Sequence, residues 1–236
     1  MQKSNHISSA FDTELEVVQA QIMKMGGLVE DAIRLGMKSL ETRDEDLAQE
    51  VRRNDAAIDG LEETINEGAA RIIALRAPTA IDLRLVLSVI KISGNLERIG
   101  DYAKNMAKRT EALAQVAPIA ESTGTLRRMT RAVEGMLKDV LDAYIQRDAA
   151  LAADVIARDV DVDQMYNALF RELLTFMMED PGNITPCLHL HFIAKNTERM
   201  GDHVTSIAEQ VIYLSTGKQP DEMRPKADVT STTTEA

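Results

Sequence analysis

The chain has 236 residues, with 38 acidic against 27 basic side chains for a formal charge of −11, 3% aromatic residues and no tryptophan. A net-negative surface repels phosphates at long range and so disfavours nucleic acid as the main partner. Abundant Ala, Leu, Glu and Met beside few β-branched and aromatic clusters argue against an all-β fold. No run of about 18 uncharged apolar residues is present to span a membrane, the N-terminus lacks the apolar core of a secretory signal, and the single Cys187 excludes an internal disulfide framework and fits a reducing cytosol.

Helix interiors reject proline at roughly 3 kcal/mol each, and Pro78, Pro118, Pro181, Pro186, Pro220 and Pro225 leave long stretches uninterrupted. After a flexible N-terminus over residues 1–10, Leu15, Val18, Ile22, Met25, Val29, Ile33, Met37 and Leu40 mark one face of a first helix. Leu47, Val51, Ile58, Leu61, Ile65, Ile72 and Leu75 mark a second, and Thr42 followed by Glu45 predicts a capping box at its start. Pro78-Thr79 with Asp82 opens a third helix that runs to about residue 114. Beyond the Pro118–Gly124 break, helices are predicted over residues 125–147, 149–179 and 185–214, with Thr185-Pro186 as N-cap and first-turn pair of the sixth. Residues 215–236 lack apolar periodicity and are expected to be a disordered tail.

Six helices split three and three around the Pro118 linker invite a search for duplication. Arg43-Asp44-x-x-Leu47-Ala48-x-x-Val51 reappears as Arg147-Asp148-x-x-Leu151-Ala152-x-x-Val155 at an offset of 104 residues, which also maps Asp55 and Asp59 onto Asp159 and Asp163. Asn95-Leu96-Glu97-Arg98-Ile99-Gly100-Asp101 matches Asn196-Thr197-Glu198-Arg199-Met200-Gly201-Asp202 at an offset of 101, a contraction that a loop between the second and third helices absorbs. The predicted fold is therefore all-α: two tandem pseudo-symmetric three-helix bundles over residues 11–117 and 118–214.

Each copy carries Asp-x-x-x-Asp on its second helix (Asp55/Asp59; Asp159/Asp163) and Glu-x-x-x-Asp on its third (Glu97/Asp101; Glu198/Asp202). Residues four apart share a helix face. In so acidic a chain about six such pairs arise by chance on solvated faces. Two features lift these four pairs above that background. They recur in equivalent places in both copies, and they prolong partly apolar stripes: Val86 and Ile90 precede Glu97 and Asp101, and Cys187, His191 and Ala194 precede Glu198 and Asp202. Carboxylate pairs brought together in a semi-buried groove need a cation or basic side chain to compensate them. Oxygen donors suit hard or borderline metal ions, while Arg98, Arg199, Lys104 and Arg158 are the basic side chains within reach. Gly100 and Gly201, each beside a carboxylate, permit close helix approach or metal access.

The remaining candidates carry less. His191 alone among His189, His191 and His203 lies on the carboxylate stripe, and a partly buried histidine is the simpler reading. No Glu-x-x-His occurs, so a ferritin or di-iron oxygenase ligand set is absent. Met23, Met25, Met37, Met129, Met136, Met177 and Met178 read as core packing, and Cys187 reads as a lone small apolar residue rather than a nucleophile. Phosphate loops, nucleophile elbows and zinc spacings are missing as well, and no catalytic residue is assigned.

At Asn95-Leu-Glu-Arg-Ile-Gly-Asp101 and Asn196-Thr-Glu-Arg-Met-Gly-Asp-His203 the sequence closely resembles the PhoU family of phosphate-specific transport accessory proteins. Arg76-Ala-Pro-Thr-Ala-Ile-Asp82-Leu-Arg84 looks like the family's entry into its third helix, and Ile207-Ala-Glu-Gln-Val-Ile-Tyr213-Leu-Ser-Thr-Gly217 like its C-terminal ending, so the resemblance spans residues 7–217. It implies two three-helix bundles and a cytoplasmic, non-enzymatic, homodimeric regulator that restrains phosphate uptake and silences phosphate-starvation signalling. The implied partners are the ATPase subunit of the phosphate ABC transporter and the sensor histidine kinase, with membrane association only through them. Some members carry multinuclear iron or zinc clusters, which the resemblance places on Asp55, Asp59, Glu97 and Asp101 and on Asp159, Asp163, Glu198 and Asp202; magnesium, manganese or calcium would suit the same oxygens. Thr197 departs from the family's usual leucine, and Pro186-Cys187-Leu188 is a weak counterpart of Asp82-Leu-Arg84, so the two halves need not bind metal or partners equally. Two readings stand beside the adaptor: a multinuclear carboxylate metalloenzyme, hydrolytic or redox, and a metal-free helical scaffold whose acidic pairs meet Arg and Lys.

Overall fold

The structure, a computed structural model, describes residues 2–119, 122–218 and 220. Six helices follow in chain order: α1 (Gln2–Thr42), α2 (Glu45–Arg76), α3 (Ala80–Ala114), α4 (Ser122–Gln146), α5 (Ala149–Glu179) and, after a 3₁₀ turn at Pro181–Asn183, α6 (Ile184–Thr216). No strand occurs among the described residues. The all-α expectation of two tandem three-helix bundles, α1–α3 and α4–α6, is met. The backbone of α1 is already helical from Gln2, earlier than expected. The predicted tail gives up its first two residues to α6 and lies mostly outside the described residues.

The predicted apolar faces are the ones that are buried. On α1, Val18, Ile22, Met25, Val29, Ile33, Met37 and Leu40 enter the core. On α2 Val51, Ile58, Ile65 and Ile72 do so, while Leu75 at its end is exposed. Each such side chain contributes roughly 1.5–3 kcal/mol on burial, which holds the helices in place more than their propensity does. Among the methionines, Met25, Met37, Met129 and Met136 are core residues as expected, but Met178 near the end of α5 is exposed.

Two predicted caps move. Thr42 still belongs to α1, and its hydroxyl donates back to the Lys38 carbonyl at 2.9 Å. Asp44 caps α2 instead, accepting from the Leu47 N–H at 2.9 Å. Likewise the N-cap of α6 is Asn183, so Thr185 lies inside the first turn. The repeated Arg-Asp dipeptide is itself a turn device. Arg43 and Arg147 take φ of 57° and 53°, the next N–H returns to Ser39 O at 3.0 Å and Ala143 O at 2.9 Å, and Asp148 caps α5 as Asp44 caps α2. These are left-handed helix endings that lead directly into an N-cap. The Arg43 guanidinium then donates to the carbonyls of Leu113 and Val116, tying the first corner to the end of α3.

The halves share a continuous core. The third helices of the two repeats, α3 and α6, run antiparallel against each other: Asn95 Oδ1 and His203 Nδ1 are 2.8 Å apart, Arg109 and His189 pair at 3.5 Å, and Arg84 lies 5.1 Å above the Tyr213 ring. α1 meets α4 beside them, where a Cβ on Gly26 would fall on the Leu141 side chain.

Candidate functional site

The four acidic motifs converge in pairs, one cluster per repeat, where the second and third helices face each other. In the first cluster α2 supplies Asp55 and Asp59, and α3 supplies Glu97 and Asp101. Lys104, one turn beyond Asp101, folds back so that its Nζ lies 2.5 Å from Asp55 Oδ2 and 3.3 Å from Asp101 Oδ1, bridging the two helices. Arg98 stands further out, 3.5 Å from Glu97 and 3.7 Å from Asp101.

Burial and crowding shape this cluster electrostatically. The hydrogen bond to Asp55 raises the Lys104 ammonium above its ordinary value. Partial desolvation, then the neighbouring charge of Asp55, raises the Asp59 carboxyl, although the residue as a whole is at the exposed rim. Desolvation, followed by the charge of Asp101, raises Glu97. A carboxyl raised in this way is less stable ionised in the folded chain than in the unfolded one.

The second cluster is drier. Asp159, Asp163 and Glu198 are 2%, 3% and 4% exposed, whereas in the first cluster only Asp55, at 5%, is buried. Its lysine comes from a different place: Lys195 Nζ lies 2.9 Å from Glu198 Oε2 and 4.9 Å above the Tyr166 ring of α5. Gly201 explains how α6 comes so close to α5, since a Cβ there would stand 2.7 Å from Asp159 Oδ1. At Gly100 the same atom would stand 3.1 Å from the Ile58 Cδ1 methyl. Close helix approach is thus the structural use of both glycines.

Of the basic side chains within reach by sequence, Lys104 and Arg98 join the first cluster. Arg158 instead pairs with Asp139 at 2.6 Å and Asp154 at 3.1 Å, and the Arg199 guanidinium is raised above its ordinary value by Tyr102 of α3 first and by the charge of Glu198 to a smaller extent. Lys195 is the member that the sequence reading passed over, although its place three residues before Glu198 is a helical-pair signal. His191 packs among the rings of Tyr166, Phe170 and Phe192 at centroid distances of 5.3–6.0 Å. Cys187 is buried, and desolvation raises its thiol, the opposite of activation.

Oxygen donors of this kind suit a hard cation, but in this arrangement they do not fit a metal cluster. An ammonium lies against Asp55 and Asp101, and another against Glu198. Among the described residues no three His, Cys, Asp or Glu side chains come together in a way that could hold a metal ion.

Fold and site define a class: a tandem three-helix-bundle protein with one acid–lysine cluster in each repeat, and, among the described residues, no helix long and apolar enough to cross a membrane. The family model described as PhoU domain matches residues 22–110 and again 126–211, and the chain belongs to the PhoU family. It is 46% identical over 234 residues to the phosphate-specific transport system accessory protein PhoU homolog of Rhizobium meliloti (strain 1021), covering 96% of both chains. To the protein of the same name from Caulobacter vibrioides (strain NA1000 / CB15N) it is 45% identical over 228 residues, covering 97% of this chain and 99% of the other. The crystal structure of PhoU from Pseudomonas aeruginosa superposes with a TM-score of 0.86 at 40% identity, covering 88% of this chain and all (100%) of that one. The phosphate transport system regulatory protein PhoU from Streptococcus pneumoniae gives 0.82 at 29% identity, covering 90% and 100%.

Proposed function

We propose that the chain is a cytoplasmic regulatory adaptor of phosphate homeostasis that restrains phosphate uptake and phosphate-starvation signalling through protein–protein contacts. The observation that carries this reading is the near full-length relation to proteins named as accessories of phosphate-specific transport, 46% identity over 96% of both chains in one case. Its partners in this reading are the ATPase subunit of the phosphate ABC transporter and the sensor histidine kinase. It acts as a homodimer and reaches the membrane only through those partners.

The geometry suits an adaptor. Apart from α4, of 25 residues, helices of 31 to 41 residues offer side faces about 45–60 Å long at 1.5 Å rise per residue. An adaptor acts by binding one conformation of its partner better than another, and a difference of about 3 kcal/mol shifts that equilibrium roughly 150-fold. No turnover is needed. The metalloenzyme alternative gains no support, because lysine ammoniums lie on its candidate ligands and His191, its candidate proton carrier, is packed among aromatic rings. The test is affinity capture of the tagged chain with its native partners, from detergent extracts of its own organism. Recovery of the transporter ATPase subunit and the kinase is expected, and recovery of neither overturns the assignment.

A further inference from the structure

In each cluster a lysine meets carboxylates from a position with no equivalent in the other: Lys104 meets Asp55 and Asp101, and Lys195 meets Glu198. At the offset of 101 residues that superimposes the motifs, Lys104 corresponds to Thr205 and Lys195 to Gly94. Neither lysine is inherited from the shared repeat pattern, yet each cluster has one. Lys104 reaches its carboxylates from one turn after the motif, and Lys195 reaches Glu198 from one turn before it. Buried carboxylates left without a cation destabilise a fold, so two independent solutions to one electrostatic problem point to a requirement common to both halves.

We propose that Lys104 and Lys195 are the resident cations of the two acidic clusters, so that the folded chain holds its motifs together without a metal ion. Lys104 bridges α2 to α3 through Asp55 and Asp101, the crosslink that a metal ion on these oxygens would otherwise make. Lys195 is held from two helices at once, by Glu198 of its own helix and by the Tyr166 ring of α5. A divalent ion entering the first cluster must displace an ammonium already 2.5 Å from a buried carboxylate oxygen. This inference concerns how the fold is held and is independent of the regulatory role.

The experiment compares thermal midpoints of the full chain in EDTA and in MnCl₂, with manganese per chain counted by elemental analysis after dialysis. Wild type is expected to hold no stoichiometric manganese and to show the same midpoint in both buffers to within about 1 °C, because a ligand that does not bind the native state does not move it. Lys104→Met is expected to lose about 3–6 °C in EDTA, since its lysine is 39% exposed while Asp55 is buried, and to regain part of that loss in MnCl₂. Lys195→Met is expected to lose stability in EDTA in the same way. The double variant Asp55→Asn/Lys104→Met, which removes both charges, is expected to recover midpoint in EDTA. The proposal is overturned by wild type that retains stoichiometric manganese or melts several degrees lower in EDTA. A Lys104→Met chain as stable as wild type overturns it equally. Should Lys104→Met not fold, the double variant decides: a folded double variant supports the proposal, and an unfolded one refutes it.

Discussion

Replacing Gly201 by alanine tests the close packing of α6 on α5. The added Cβ falls 2.7 Å from Asp159 Oδ1, with methyls of Val133 and Val162 at 3.8 Å on its other sides. Asp159 is only 2% exposed, so its carboxylate has no open water to swing into. Forced overpacking of this kind costs about 2–3 kcal/mol, and removing a helical glycine returns about 1 kcal/mol. The net loss of about 1–2 kcal/mol corresponds, in a chain of this length, to a midpoint lower by about 2–8 °C. Two companions calibrate it. Gly100→Ala meets a methyl of Ile58 at 3.1 Å that can shift, so packing cost and propensity gain nearly cancel, to within about 0.5 kcal/mol. Gly60→Ala meets nothing within 4 Å and is expected to stabilise by up to about 1 kcal/mol. Urea titration with circular dichroism reads all three. A Gly201→Ala chain as stable as Gly60→Ala would refute the close-approach reasoning.

Other expectations follow from the same geometry. Asp148→Ala, which strips hydrogen bonds from the Ala150 and Leu151 N–H groups, is expected to cost about 1–2 kcal/mol, and Asp44→Ala, which strips one from Leu47, about 1 kcal/mol or less; equal or absent losses in urea titrations would contradict the cap assignment. Because the folded pKa of Glu97 is raised above the ordinary 4.5, the folded chain binds more protons just above that pH, so Glu97's share of stability falls as pH rises through its folded value. Glu97→Gln is therefore expected to flatten the pH–stability curve just above 4.5 and to leave the chain about 0.5 kcal/mol more stable at neutral pH; an unchanged curve would show that the crowding is relieved elsewhere. The Lys104 ammonium behaves oppositely: raised above 10.5, it stabilises fully below that value and its contribution disappears as pH climbs through the folded value. A Lys104→Met chain whose alkaline unfolding limb matches wild type would contradict this.

Much of the fold was legible because apolar spacing and proline placement are local signals. The face from Val18 to Leu40 and the ends of α3 and α5 came directly from them. The displaced caps show where local signals compete. Thr42 satisfies a capping-box pattern, but its hydroxyl bonds back into α1, and an arginine taking positive φ moves the N-cap to Asp44. Nothing in the residue type Arg foretells a left-handed turn; its repetition beside Asp in both copies was the available clue. The pairing of carboxylates within each repeat was legible from spacing. Their unequal burial was not, since it depends on how tightly α6 approaches α5 at Gly201. The antiparallel α3–α6 contact, with Asn95 against His203, joins residues 108 apart and leaves no periodic trace.

The regulatory role is measured by phosphate uptake in cells of the source organism lacking this chain, grown with ample phosphate. Uptake and a phosphate-starvation reporter are both expected to stay high under those conditions, and to return to low values when the chain is restored. Uptake and reporter indistinguishable from the parent strain would contradict it.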